Sequence, residues 1–238
     1  MKTNNQDTFC KKMRKATKEI HSISDSLVNA KLAFDGLLVF YEVFRYLELA
    51  MIRWKDTEIG LFLHEELRRT EAFEVDLEFY LGKEWKKNLN LRDSVTKYLI
   101  HLKEIEDTEP ILLIAYIYHL YMGLLSGGII LRKKREFMQK IWPFKEYQMN
   151  GNNITNFKNS NIFQLKQHMR DTMNKIAETL DEDTKNKLIE ESKTVFILNN
   201  EIIRSIQGTG TIILKKTVCF VIPIMLLFLA FFVSFRKI

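Results

Sequence analysis

Arg14, Lys18, His21 and Asp25 follow one another at steps of four, three and four, which on a helix sets them along one side. Two cations, an imidazole and a carboxylate in a row read either as a functional face or as a solvated, salt-bridged one. A second set is Tyr118-His-Leu-Tyr-Met-Gly-Leu-Leu-Ser-Gly-Gly128, with three of the chain's nine glycines inside an otherwise helical pattern. Glycine in a helix costs about 1 kcal/mol relative to alanine. Gly123 and Gly127, four apart, share a face without relief, with a kink expected near Gly127 and Gly128. Such a face admits either a flat, bulky ligand or another helix backbone. Lys166 and Arg170, one turn apart, form a further cationic pair, and Arg132-Lys-Lys-Arg135 suits either a helix C-terminus or an acidic partner.

The elements that must position these groups are helical. Only 3 Pro and 9 Gly stand against 17 Phe and 9 Met, with 46% hydrophobic residues. Strand-like alternation is weak, so the chain reads as all-α. The spacing predicts helices over 10–28, 35–54, 59–80, 91–105, 110–137, 162–180 and 182–207, with 143–161 as an Asn-rich flexible loop around Gly151. Thr108-Glu-Pro110 supplies a cap and a first-turn proline for the glycine-bearing helix. Length and apolar content suit one large domain, 10–207, after a short N-terminal segment, 1–9.

Patterns that would name other chemistry are missing. There is no phosphate-binding loop, dinucleotide fingerprint, nucleophile elbow or paired-cysteine zinc pattern. The five histidines never occur as His-x-x-x-His, leaving one histidine with a carboxylate one turn away. Cys10 and Cys219 do not make a disulfide framework, which fits a reducing compartment. The net charge of +6 and pI near 9.1 are compatible with an acidic partner, anionic lipid or an anionic ligand. No apolar leader follows the polar start. Residues 217–235 carry no charge, and 19 residues at about 1.5 Å each span about 28 Å, enough to cross a bilayer. Lys215 and Lys216 precede this span, reached through a linker, 208–216, and Arg236 and Lys237 lie in the short tail 236–238. A C-terminal anchor with the domain facing the cytosol is expected.

Arg14-Lys-Ala-Thr-Lys-Glu-Ile-His21, Thr108-Glu-Pro110, Tyr121-Met-Gly-Leu-Leu-Ser-Gly-Gly128 and Glu190-Glu-Ser-Lys-Thr-Val-Phe-Ile-Leu-Asn199, in this order and spacing, resemble heme oxygenase of the eukaryotic microsomal kind. The resemblance covers about 14–206 and implies one helical domain with heme b held between a proximal helix and a kinked distal helix. By it, His21 is the iron ligand, with Asp25 hydrogen-bonding its other nitrogen. Arg14, Lys18, Tyr118, Lys166 and Arg170 hold the propionates, and Gly123 and Gly127 bring the distal backbone close to the iron. Arg69 and Asn199 also match catalytic-site positions.

The implied reaction cleaves heme to biliverdin, carbon monoxide and ferrous iron, using O2 and electrons from an NADPH-dependent flavoprotein reductase in the endoplasmic reticulum membrane. That reductase could dock at Arg132, Lys133, Lys134 and Arg135. Biliverdin reductase is a further implied partner, and nucleic acid is not one. Leu124 departs from the family pattern, which has an aspartate there to order the water that delivers protons. Phe44 replaces a usual tyrosine and Leu120 a usual arginine, so the resemblance implies slow turnover or poor regiospecificity. It leaves open a heme sensor or buffer without turnover.

Overall fold

The computed structural model describes residues 8–18, 30–129, 132–133, 151–157 and 160–206. Among them are seven α-helices and no strand: α1 Phe9–Thr17, α2 Ala30–Arg53, α3 Thr70–Leu81, α4 Asp93–Thr108, α5 Leu113–Gly123, α6 Ile162–Thr179 and α7 Glu182–Ser205. The organising element is α5. Its residues 113–118, 120 and 121 are all buried, because it packs against α2, α4, α6 and α7 at once. A helix apolar all round belongs in a core. Residues 110–128 are the only stretch among those described that is long and apolar enough to cross a membrane, and more than half of that stretch is buried in the protein. The expected anchor, 217–235, lies outside the described residues.

All seven expected helices share a boundary with an observed one to within a few residues over the described parts, but 59–80 is not one continuous helix. There the chain makes two 3-10 turns, Glu58–Phe62 and Glu65–Leu67, before α3 starts at Thr70. Local caps outcompete a continuous helix. The Thr57 hydroxyl accepts from Ile59 N–H, and His64 Nδ1 accepts from Glu66 N–H at 3.2 Å. At Gly60 a Cβ would stand 2.1 Å from the Lys55 carbonyl oxygen, so the backbone turns there at a distance no other residue tolerates. Buried Glu48 then accepts from the Arg69 and Thr70 N–H groups and caps α3 from another helix. Nothing in a local pattern shows that cap.

Residues 151–157, expected within a flexible loop, are instead held down. The Asp76 carboxylate accepts from Asn153 N–H at 3.0 Å, from its side-chain amide at 2.6 Å and from Ile154 N–H at 3.0 Å. Asp76, Gly151, Ile154, Thr155 and Phe157 are buried. Gly151 sits at φ 79°, where its absent Cβ leaves room for the Tyr80 ring.

At the far end of α2, Glu106 of α4 accepts from Arg53 Nε at 2.8 Å and Nη2 at 2.7 Å, from Trp54 Nε1 at 2.9 Å and from the Tyr46 hydroxyl. Burial would raise its carboxyl, but these donors and the Arg53 charge outweigh burial and bring it down to about 2 from an ordinary 4.5. A depressed carboxyl stabilises the fold above its unfolded value and loses that stabilisation as pH falls through the folded one. The melting temperature is therefore expected to fall between about pH 4.5 and pH 2. In Glu106→Gln that part of the decline should disappear, as thermal melts across the acid range would show.

Candidate functional site

The glycine-bearing end of α5 continues into one π-helical turn, Leu124–Gly128. Such turns are rare and recur at functional sites. The helix widens at the position where a kink is expected. A Cβ added at Gly123 or Gly127 would meet nothing within 4 Å among the described residues. Gly128 differs, because a Cβ there would come within 3.0 Å of Leu124 Cδ1 and 3.1 Å of Thr155 Cγ2. Among the described residues, close packing thus accounts for Gly128 alone, and nothing approaches the open faces of Gly123 and Gly127.

Around Tyr118, midway along α5, the structure gathers four of the expected propionate holders. Tyr118 is buried, and its hydroxyl meets the Cys10 thiol of α1. Burial first, then Cys10, pushes this phenol up, while the nearby charges of Arg170 and Arg14 pull it down. The Cys10 thiol also donates to the Arg170 carbonyl at 3.6 Å, and Cys10 N–H donates to Asn174 Oδ1 at 3.2 Å, tying α1 to α6. Burial and the Arg170 charge hold the Lys166 ammonium below its ordinary value. Like charges are thus brought together around a neutral phenol, an arrangement that favours an anion. Lys18 follows Arg14 by one turn and is exposed at the end of α1. His168, between Lys166 and Arg170, turns to the opposite side of α6 with its ring 5.2 Å from His64.

His21 and Asp25 lie outside the described residues, as do Lys134 and Arg135. Lys133 is exposed, whereas Arg132 donates to the Thr155 carbonyl at 3.1 Å. Arg69 is buried, with its guanidinium 4.2 Å above the Phe157 ring. It donates to the carbonyls of Glu66 at 2.7 Å, Leu67 at 3.2 Å and Asn156 at 3.4 Å, which clamps the turn before α3 to the 151–157 segment. Asn199 of α7 accepts from the Tyr98 hydroxyl of α4 at 3.2 Å.

Leu124 is partly buried and leans along the helix toward Gly128 and Thr155. Phe44 is buried with its ring 5.2 Å from both Phe73 and Tyr121, and Leu120 is buried too. All three are packed as apolar groups. Two features beside this set were not anticipated. One is Cys10 beneath Tyr118. The other is Glu48, which accepts from the Tyr121 hydroxyl at 3.0 Å directly below the distal turn. A lone glutamate on the apolar stripe of α2 was the available signal for the second.

Residues 7–205 match the heme oxygenase family. The chain is 28% identical to heme oxygenase 1 of Bos taurus over 214 residues, covering 84% of this chain and 71% of the relative. It is 31% identical to heme oxygenase 2 of Oryctolagus cuniculus over 228 residues, covering 89% and 70%. The crystal structure of heme oxygenase-2 from Synechocystis, in complex with heme and NO, superposes with a TM-score of 0.72 at 27% identity, covering 83% of this chain and 84% of the other.

Proposed function

The chain belongs to the heme oxygenase family, and from that premise we propose that it cleaves heme to biliverdin, carbon monoxide and ferrous iron with O2, slowly or with poor regiospecificity. The observation that carries the reading is the geometry of α5. Its distal turn is bare of described contacts at Gly123 and Gly127, and Tyr118 midway along it lies in the field of Arg14 and Arg170, with Lys166 beside Arg170. A flat dicarboxylate with an iron centre fits a helix so arranged. Heme supplies its own redox chemistry as substrate.

The residues divide the remaining work. Arg14, Lys18, Lys166 and Arg170 neutralise the two propionates, and the Tyr118 hydroxyl donates to one of them. His21 ligates the iron through one imidazole nitrogen while Asp25 accepts from the other, fixing the tautomer. Gly123 and Gly127 let the backbone close over the distal side. Arg69 and Asn199 hold the surrounding segments in register through the partners given above. Leu124 offers no hydrogen-bonding atom, so the water that delivers protons in this family lacks its carboxylate here.

Residues 217–235 anchor the chain in the endoplasmic reticulum membrane with the domain in the cytosol. An NADPH-dependent flavoprotein reductase supplies electrons and meets the basic run 132–135, and biliverdin passes to a biliverdin reductase. The second reading, a heme sensor or buffer without turnover, is favoured by the apolar packing of Leu124, Phe44 and Leu120. Heme titration followed by addition of reductase and NADPH separates the two. We expect saturable binding that His21→Ala weakens, then slow loss of the heme absorption with more than one biliverdin isomer formed. Rapid conversion to a single isomer would overturn the role given to Leu124, and binding with no product would favour the sensor.

A further inference from the structure

The turn between α3 and α4 lies at the C-terminal end of α7. Arg92 Nη1 donates to the Ser205 carbonyl at 2.6 Å, and one turn into α4 Lys97 Nζ lies 2.8 Å from Glu201 Oε2. The turn is fixed from within by Trp85, which is buried with its ring 5.1 Å from Tyr41. What it shows outward is apolar and basic. Leu81 and Leu91 are 42% and 36% exposed, and Lys83, Lys86 and Lys87 are exposed between them. Lys86 pairs with Glu74 at 2.8 Å and Lys87 pairs with Glu84, but both pairs are open to solvent and therefore weak. Lys83 makes no ion pair among the described residues. Arg204, in the last turn of α7, adds a cation at the same end.

Position in the chain says what faces this surface. Residues 207–216 separate the end of α7 from the apolar stretch 217–235, and 11 steps of chain reach no further than about 40 Å even when fully extended. The opposite end of α7, at Glu182, lies about 36 Å from that end, since the helix has 24 residues. We propose that the α3–α4 turn rests on the headgroups of an anionic membrane surface, with Leu81 and Leu91 entering the interface and Lys83, Lys86 and Lys87 facing acidic lipid. Exposed apolar residues ringed by lysine suit that boundary. The contact rests on the anchor reading of 217–235 and fixes which face of the domain looks at the bilayer.

The test compares two single cysteines in the full chain, Leu91→Cys and Glu182→Cys, reconstituted in vesicles of phosphatidylcholine and phosphatidylserine. Native Cys10 is buried, and Cys219 belongs to the apolar stretch. Reaction with a water-soluble maleimide is expected to be at least about fivefold slower at 91 than at 182. Omitting phosphatidylserine, or reversing charge with Lys83→Glu and Lys87→Glu, should remove most of that difference. Equal rates at 91 and 182 in vesicle-bound chain would overturn the contact and leave the anchor standing. Protection that follows protein density and not lipid charge would overturn it in favour of contact between copies. Chain that fails to float with vesicles after a carbonate wash would overturn the anchor reading, and the contact with it.

Discussion

Gly123→Ala is expected to make the heme-free protein more stable by about 0.5–1 kcal/mol while weakening heme binding at least about tenfold. The opposite signs follow from one observation. A methyl group at this position meets no described atom within 4 Å, so only the backbone gain of replacing glycine in a helix is felt by the empty protein. A ligand lying against the turn feels the methyl as overpacking, which in well-fitted sites costs about 1–3 kcal/mol. Gly128→Ala is the control on the same turn. There the methyl crowds Leu124 Cδ1 at 3.0 Å and Thr155 Cγ2 at 3.1 Å, so any gain in stability should be smaller than at Gly123. Thermal melts of the empty protein and heme titration of both variants check this. Loss of stability in Gly123→Ala would mean that the glycine serves helix packing, and unchanged heme affinity would remove the ligand from this face.

The sequence supplied the helix order because each helix carries its own apolar stripe and most carry their own stops, such as Asp181 capping α7 through Thr184 N–H at 2.8 Å. It also separated the glycine turn and the cations as the two unusual features, yet it left their meaning open. Spacing alone allowed Gly123 and Gly127 to serve helix packing, and only the surroundings of each Cβ assign that role to Gly128. What could not be read lies in contacts between distant segments. The break at 59–80 depends on Glu48 reaching across from α2, and the order of 151–157 depends on Asp76 of α3, 77 positions before Asn153. Cys10 and Tyr118 are likewise brought together only when α1 docks. A local pattern holds no trace of a cap donated from another helix.

That distant cap carries the largest expected loss of stability. Glu48 is 3% exposed, and its carboxylate accepts from the Arg69 N–H, from Thr70 N–H at 3.1 Å, from the Thr70 hydroxyl at 2.7 Å and from the Tyr121 hydroxyl at 3.0 Å. Arg68 Nε lies 3.9 Å away and supplies a compensating charge. In Glu48→Ala these four donors lose their acceptor together, three of them at the start of α3 and one on the helix that bears the glycine turn. Removing one partner from a buried charged network costs about 3–5 kcal/mol, a large share of the total stability of a domain this size. Glu48→Gln keeps the shape but replaces one accepting oxygen by a donor, so it should fall between the two. Denaturant titrations of the heme-free protein in detergent measure both. A loss under about 1 kcal/mol in Glu48→Ala would mean that water replaces the carboxylate at no great cost. A loss of the expected size, with heme affinity falling as well, would show that α3 and the distal turn are positioned by one buried carboxylate, since Tyr121 and Leu124 sit one turn apart on the same helix.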